Sequence, residues 1–205
     1  MKNKVGGASR PPKPPARMAH SPRRAGGLGG RLCPPTFLLL LCAAAPAPPP
    51  SAILDKLKLA HSPQEATALE AMLESTLYNQ ATASVQLLLD GALAAIHADK
   101  PKDALADADA AVTLQPDLAE LWRRRAQARF LNGDDKGAFV DLAQALAREP
   151  RLITAWADLS RFAEARKDYK RALQAWQKLL ELDPQTEGGK KRLDLLQRKA
   201  NGQPI

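Results

Sequence analysis

The stretch AELWRRRAQARFLNGDDKGAFVDLAQALAREP, residues 119–150, decides the fold of this 205-residue chain. Its apolar residues recur at three- and four-residue steps, both before and after Asn132-Gly133-Asp134. This spacing places apolar side chains along one face of a helix. Gly133 favours a helix end because glycine readily adopts left-handed backbone, and Pro150 prevents the second helix from continuing. The stretch therefore predicts two short amphipathic helices joined by a tight turn.

The same plan recurs on both sides of this stretch with a period of 34 residues. Small residues at one recurrent position let the two helices of a unit approach closely, and large residues fill the space between units. Such agreement on one period indicates an array of stacked helix–turn–helix units. The recurrent columns are Pro116, Pro150 and Pro184; Ala104, Ala138 and Ala172; Trp122 and Trp156; and Ala111, Ala145 and Leu179.

These columns resemble the signature of the tetratricopeptide repeat family, which has an aromatic residue, two small residues and a proline at fixed positions. Two positions depart from it: Leu88 stands at the aromatic position of the first unit, and Arg125 replaces the usual leucine in the second. The resemblance implies an all-α, right-handed α-solenoid of three repeats. In family register the repeats occupy residues 85–118, 119–152 and 153–186.

Helices are also predicted on both sides of the repeats. Residues 53–84 form an N-terminal helical pair that caps the array, with a helix start at Ser62-Pro63. Residues 187–200 form a capping helix that covers the last apolar face, and residues 201–205 form a tail. This layout resembles short bacterial envelope proteins of unassigned role.

Residues 1–52 are predicted to be a secretory leader. Eight of the 30 Lys and Arg residues precede Asp55, whereas all 22 Asp and Glu residues lie from Asp55 onward. The apolar run at residues 36–47 would span roughly 18 Å as a helix, too short for a stable membrane span of ~30 Å. A basic segment followed by a short apolar run is typical of a secretory signal, so we expect export to the bacterial periplasm.

Other interpretations of the leader stay open. Cys42 offers a lipid anchor, although Leu41 does not match the small residue that such a signal requires. Twin-arginine export and a mitochondrial transit peptide are further alternatives. Met18 is an alternative start. Cleavage is expected after one of three residues: Ala45, Ala47 or Ala52.

The charge balance of the repeats argues against a nucleic-acid partner. From Asp55 onward basic and acidic residues are equal in number, and a neutral domain does not concentrate phosphates. Cys33 and Cys42 both lie in the leader, so the remainder forms no disulfide.

No catalytic or metal-binding pattern is present in the sequence. His61 and His97 have no partner at ligand spacing, and the acidic residues between Asp99 and Asp109 lack the glycine and terminal glutamate of a calcium loop. There is no phosphate-binding loop, dinucleotide-binding glycine pattern or nucleophile elbow. The sequence therefore predicts a protein that is not an enzyme and uses no cofactor.

The family resemblance implies a partner-binding groove lined by the first helix of each unit. Arg123, Arg124 and Arg161 would present guanidinium groups to a carboxylate there. The alternative is a charged helix surface on which acidic neighbours neutralise the arginines. The clamp with which chaperone-binding members hold a terminal carboxylate is absent. The predicted groove residues are Leu89, Asp90, Leu93, Arg123, Arg124, Gln127, Asp158 and Arg161.

The prediction for function is a non-catalytic protein–protein interaction scaffold or accessory factor of the bacterial cell envelope. It would bind a peptide or partner helix in the groove. Leu89 and Leu93 could instead be covered by the N-terminal helices, which would shorten the groove. The alternatives are a nucleic-acid-binding helical repeat, and a cytoplasmic or mitochondrial adaptor if the leader is not a secretory signal.

Overall fold

A computed structural model describes residues 48–203 of the chain, and these residues are helical throughout, without a strand. The predicted signal, Cys33 and Cys42 lie outside the described residues. The all-α prediction is confirmed, whereas the predicted boundaries of the units stay a prediction. The helices are α1 Pro50–Lys58, α2 Pro63–Asn79, α3 Ala83–His97, α4 Pro101–Leu114, α5 Ala119–Leu131, α6 Asp135–Arg148, α7 Ile153–Ala165, α8 Tyr169–Leu182 and α9 Gly189–Ala200.

Helices α3 to α8 form three successive packed pairs. Each pair is tight because its second helix presents an alanine that is fully buried: Ala104, Ala138 or Ala172. A small side chain lets two helix backbones approach closely, and the interior can then pack with few voids. The recurrent alanine column of the sequence is thus the contact line within each pair.

The tryptophan and proline columns also have a shared structural cause. The indole Nε1 of Trp122 donates to the carbonyl of Pro116 at 2.7 Å, and that of Trp156 donates to Pro150 at 2.9 Å. Each tryptophan therefore satisfies the carbonyl of the proline that precedes its helix, while its ring packs between units.

Arg125, the departure from the repeat signature, has a specific role. Its guanidinium makes a bidentate ion pair with the fully buried Asp141, with distances of 2.8 and 2.7 Å. It also lies over the Trp122 ring at 4.6 Å from the centroid. Hydrogen bonding to Asp141 raises the pKa of Arg125 further above its usual value. An ion pair and a cation–π contact thus replace the expected leucine.

Helix α9 covers the last unit. Its Leu196 is fully buried against α8, and Trp176 of α8 donates its indole N–H to the carbonyl of Gly189 at 2.9 Å. Gly188, just before α9, has a φ of 67°. This left-handed backbone lets the chain reverse onto α8 at little cost for glycine.

The N-terminal helices α1 and α2 form a hairpin that contacts later units of the array as well. Ser62 caps α2 by accepting from Glu65 N at 3.2 Å, as the Ser62-Pro63 pattern predicts. Helix α1 begins three residues earlier than predicted, at Pro50, so cleavage after Ala52 would remove its first turn. The hairpin reaches the later units, where Arg151 pairs with Asp55 at 2.7 Å.

Candidate functional site

The first helices of the three pairs, α3, α5 and α7, form the face on which the groove was predicted. We call the surface that bears the predicted groove residues the concave face. Helix α2 lies across it. Three polar contacts mark its path: Tyr78 OH donates to Asp90 at 3.0 Å, Arg124 pairs with Glu74 at 3.2 Å, and Thr186 Oγ1 donates to Glu70 at 3.3 Å.

Arg123 is buried in an ion-pair cluster beneath α2. Its side chain donates to Glu120 from Nε at 2.7 Å and to Asp158 from Nη1 at 2.9 Å, and only 5% of the residue is exposed. Burial alone would raise the pKa of Glu120, but the charges and hydrogen bonds of Arg123 and Arg124 outweigh burial and keep that pKa below its usual value. Glu120 is therefore ionised, and the charges of the cluster are paired within it.

This cluster corrects one part of the site prediction. Arg123 was expected to present its guanidinium to a partner's carboxylate, but its donors face Glu120 and Asp158. Arg124 also donates to Glu120, at 2.7 Å. Arg123 and Arg124 therefore match the alternative arrangement, in which acidic neighbours neutralise the arginines. Arg161 differs, since its side chain is 61% exposed although it donates to Asp158 at 2.9 Å.

Two cavities border α2 where it crosses the concave face. One of about 370 Å³ lies between α2 and the helices α5, α7 and α8, with Glu70, Leu73, Arg123 and Thr154 among its lining residues. The other, of about 360 Å³, lies between α2 and α3 and α5, against Leu89 and Asp90. Leu89 is buried there, whereas Leu93, which also lines this cavity, is 40% exposed.

A third cavity, of about 440 Å³, includes no residue of α2 in its lining. We call it the open cavity. Its floor contains the stacked rings of Phe130 and Phe162, whose centroids are 4.0 Å apart. Gln127 lines it while donating to Asp158 at 2.7 Å. The open cavity is lined by Leu93, Ile96, Arg124, Gln127, Phe130, Leu131, Arg161 and Phe162.

A pair of carboxyl groups joins α2 to the segment before α9. Asp183 is fully buried, and its Oδ2 accepts from no donor within residues 48–203. Burial, followed by hydrogen bonding and charge repulsion from Asp183, raises the pKa of Glu70 to about 7. Glu70 therefore keeps a proton up to about neutral pH. Sequence analysis did not identify either residue.

Within residues 48–203, no three His, Cys, Asp or Glu side chains come together in a cluster that could hold a metal ion. None of the helices described combines the length and the apolar character that crossing a bilayer requires.

The predicted groove residues fall into three sets. Leu89, Asp90, Arg123 and Asp158 lie at or beneath α2, and Gln127 and Arg161 line the open cavity. Leu93 and Arg124 line both the open cavity and the cavity between α2 and α3.

Comparisons with known proteins give the same architecture. A tetratricopeptide-repeat-containing protein of Rhizobium etli is 26% identical over 150 residues, 73% of this chain and 74% of the relative. The tetratricopeptide domain of Sgt2 from Aspergillus fumigatus superposes with a TM-score of 0.55 and 23% identity, covering 61% of this chain and 87% of that domain. No family model matches the chain.

A third similar structure contains a bound peptide. The first tetratricopeptide domain of Spaghetti, solved with an HSP90 peptide, has a TM-score of 0.53 and 18% identity, and the match covers 58% of this chain and 96% of that domain. Together these similarities confirm the predicted tetratricopeptide-repeat fold.

Proposed function

We propose that this tetratricopeptide-repeat chain is a non-catalytic scaffold of the bacterial cell envelope that binds a segment of another protein in its open cavity. The observation that carries the proposal is the cavity itself. It is concave, about 440 Å³ in volume, and apolar at its floor, with cationic and amide groups at its rim. This combination is typical of a site that takes one apolar side chain and orients it by a few polar contacts.

The chemistry of the rim favours an acidic partner segment. Arg161 is 61% exposed at its side chain, and Gln127 and Arg124 also line the cavity. Leu93 and Leu131 are 40% and 53% exposed, which is unusual for large apolar side chains in a concave position. A partner with an aliphatic or aromatic residue next to a carboxylate would cover both leucines and pair with Arg161.

Capture of the partner in the native host tests the proposal. The protein is cross-linked in cells and purified, and co-purifying proteins are identified by mass spectrometry. A variant with Leu93→Asp, Leu131→Asp and Arg161→Glu should lose the partner, because each substitution reverses the chemistry of the cavity rim.

The matched control carries the same kinds of change outside the cavity. Leu87→Asp, Leu114→Asp and Arg171→Glu alter two exposed leucines and one exposed arginine that do not line it. Both variants are first compared with the wild type by circular dichroism. A partner that both variants retain would contradict the assignment of the open cavity.

The envelope location rests on the leader, whose basic segment and apolar run favour export. Fractionation of host cells tests it: the protein should be released with the periplasmic contents. Recovery in the cytoplasm would favour the cytoplasmic adaptor, and labelling at Cys42 by a lipid would favour the anchored alternative.

A further inference from the structure

The outward side of α3 is an end of the array that no other helix within residues 48–203 covers. Leu87 is 73% exposed there, and Ser84 and Ala94 are also exposed. Residues three and seven positions apart lie along one side of a helix, so these three side chains share a surface. We call the surface formed by Ser84, Leu87 and Ala94 the leading face.

The repeat register shows that the corresponding face is buried in the two later pairs. The positions that follow Leu87 by one and two repeat periods are fully buried, and those that follow Ala94 are at most 1% exposed. The preceding pair causes this burial, since Leu121 packs in a cluster with Val85 and Val112 of the first pair. The two columns are Leu87, Leu121 and Ala155, and Ala94, Ala128 and Phe162.

The N-terminal hairpin does not take the place of a preceding pair. Its buried apolar residues from Ile53 to Leu77 form one cluster with residues of the second and third pairs, such as Leu142 and Ile153. Where α2 meets the first pair it lies on the concave face, as the hydrogen bond from Tyr78 to Asp90 shows. The hairpin is therefore a fixed part of the core, and the leading face lies outside it.

The opposite end of the array is closed by α9, whose outward surface is polar. Arrays of stacked units need such a polar surface at their ends to stay soluble. An apolar face would gain little by packing on it, so α9 is a poor surface for the leading face of a second copy. The exposed residues of α9 are Lys190, Lys191, Asp194, Gln197 and Arg198.

The turn after α3 adds charges that do not repel a second copy of the chain. It carries two acids and two cations, all exposed, and none of them forms an ion pair within residues 48–203. Like charges that face each other across an interface disfavour association, whereas a balanced edge leaves both signs available for pairing. These residues are Asp99, Lys100, Lys102 and Asp103.

We propose that two copies of this chain form a two-fold dimer through their leading faces, with the α3 helices of the two copies packed together. Leu87 and Ala94 of each copy would then be buried, as their equivalents are in the later pairs. The dimer would be a joined array of six helix pairs with an α9 at each outer end. Because the same surface is used on both copies, the contact closes on itself and assembly stops at two chains. This inference goes beyond the proposed function and does not depend on the open cavity.

Analytical ultracentrifugation of the protein purified from host cells tests the dimer over a concentration series. Leu87→Asp should raise the dissociation constant of the dimer at least about 100-fold, because the two-fold contact loses two buried leucines and encloses two carboxylates. Val140→Asp, at a 58% exposed position of α6, is the matched control and should leave the constant unchanged. A wild type that stays monomeric up to a concentration on the order of 1 mM, or equal constants for the two variants, would overturn the proposal.

The face of the second copy is tested by charge reversal on α9. A variant with Lys190→Glu, Lys191→Glu and Arg198→Glu should dimerise like the wild type, because the proposed contact leaves α9 at the outer ends. If this variant is monomeric, the copies join head to tail through α9 and the two-fold contact is wrong.

Disulfide cross-linking provides a readout that does not depend on the strength of the dimer. In a chain whose natural cysteines are replaced by serine, Leu87→Cys with Ala94→Cys should give a covalent dimer on oxidation, whichever way the two α3 helices run. Two cysteines seven residues apart in one helix are roughly 10 Å apart, too far to join within a chain. The control, Val140→Cys with Ala147→Cys, has the same spacing on exposed positions of α6. Equal cross-linking of both chains, or none in the first, would contradict the dimer.

The open-cavity experiment separates this dimer from the proposed function. The variant altered at Leu93, Leu131 and Arg161 should lose the captured partner but still dimerise. Its control variant, which carries Leu87→Asp, should be monomeric and still retain the partner. Loss of dimerisation in the open-cavity variant, with unchanged circular dichroism, would place the contact on the concave face and overturn the assignment to the leading face.

Discussion

At the scale of single residues, Asp158 connects the covered and open parts of the concave face. Its carboxylate accepts from Arg123 at 2.9 Å, Gln127 at 2.7 Å and Arg161 at 2.9 Å. One buried acid thus positions a guanidinium beneath α2 and both polar groups at the rim of the open cavity. The sequence predicted Asp158 as a groove residue but did not predict its three hydrogen-bond partners. Long side chains form such contacts only after the helices have packed.

We expect Asp158→Asn to lower the free energy of unfolding by about 3 kcal/mol. The substitution leaves the positive charge of Arg123 buried with Glu120 as its remaining acidic partner, and breaking a buried ion pair on one side costs several kcal/mol. Urea denaturation followed by circular dichroism measures the change. Asp194→Asn, at an exposed position, is the matched control and should change stability by less than about 0.5 kcal/mol. Equal effects of the two substitutions would show that Asp158 is not a structural centre.

At the scale of elements, the turns between paired helices all use left-handed backbone but different residues. The φ angle is 55° at Asp99, 83° at Gly133 and 61° at Lys167. After the second and third of these residues, an aspartate caps the next helix: Asp134 accepts from Gly137 N and Asp168 from Arg171 N. Sequence analysis located the second of these turns from Gly133, since capping and helix periodicity are local properties.

Lys167→Gly should therefore stabilise the chain by about 0.5–1 kcal/mol. Glycine adopts a positive φ without the steric cost that a side chain meets there, and this gain exceeds the extra flexibility of the unfolded chain. Thermal denaturation measures the shift. The control, Lys178→Gly in the middle of α8, should destabilise by about 1 kcal/mol because it lowers helix propensity. A loss of stability at Lys167 would mean that its turn is not strained.

At the scale of the whole molecule, the repeat array and the N-terminal hairpin differ in how far the sequence predicts them. The 34-residue period and the tryptophan and proline columns predict the stacked pairs because each contact repeats between neighbours. The hairpin carries no repeat, and its contact from Glu70 to Thr186 joins residues 116 apart. Its position on the concave face could not be read from local patterns, although the Glu-x-x-Leu-Glu-x-x-Leu spacing from Glu70 to Leu77 indicates an amphipathic helix that needs a partner surface.

The docking of the hairpin should weaken as pH rises through neutrality. The native pKa of Glu70 is about 7, above its usual value of 4.5, so the folded chain binds more protons than the unfolded chain between those two pH values. The contribution of Glu70 to the free energy of unfolding is therefore greatest below pH 4.5, and it is lost as the pH rises to about 7. The other charged groups that line its cavity are Glu74, Glu120 and Arg123.

Urea denaturation at pH 5 and pH 8 tests this dependence. The wild type should lose about 1–2 kcal/mol between them through Glu70, an effect reduced by the partial exposure of the carboxyl. Glu70→Gln should remove that part of the pH dependence, and the exposed Glu187→Gln should preserve it. Identical profiles for the wild type and Glu70→Gln would show that Glu70 keeps an ordinary pKa in the folded chain.

The contact between Glu70 and Thr186 also has a consequence for synthesis. The ribosome makes the hairpin first, but part of the surface on which it rests is completed 116 residues later. At ~5–20 residues per second, the leucines of α2 are made about 6–23 s before that surface is complete. During this interval Leu73 and Leu77 lack part of the surface that buries them in the folded chain, so the nascent chain exposes an apolar stripe that the finished protein hides.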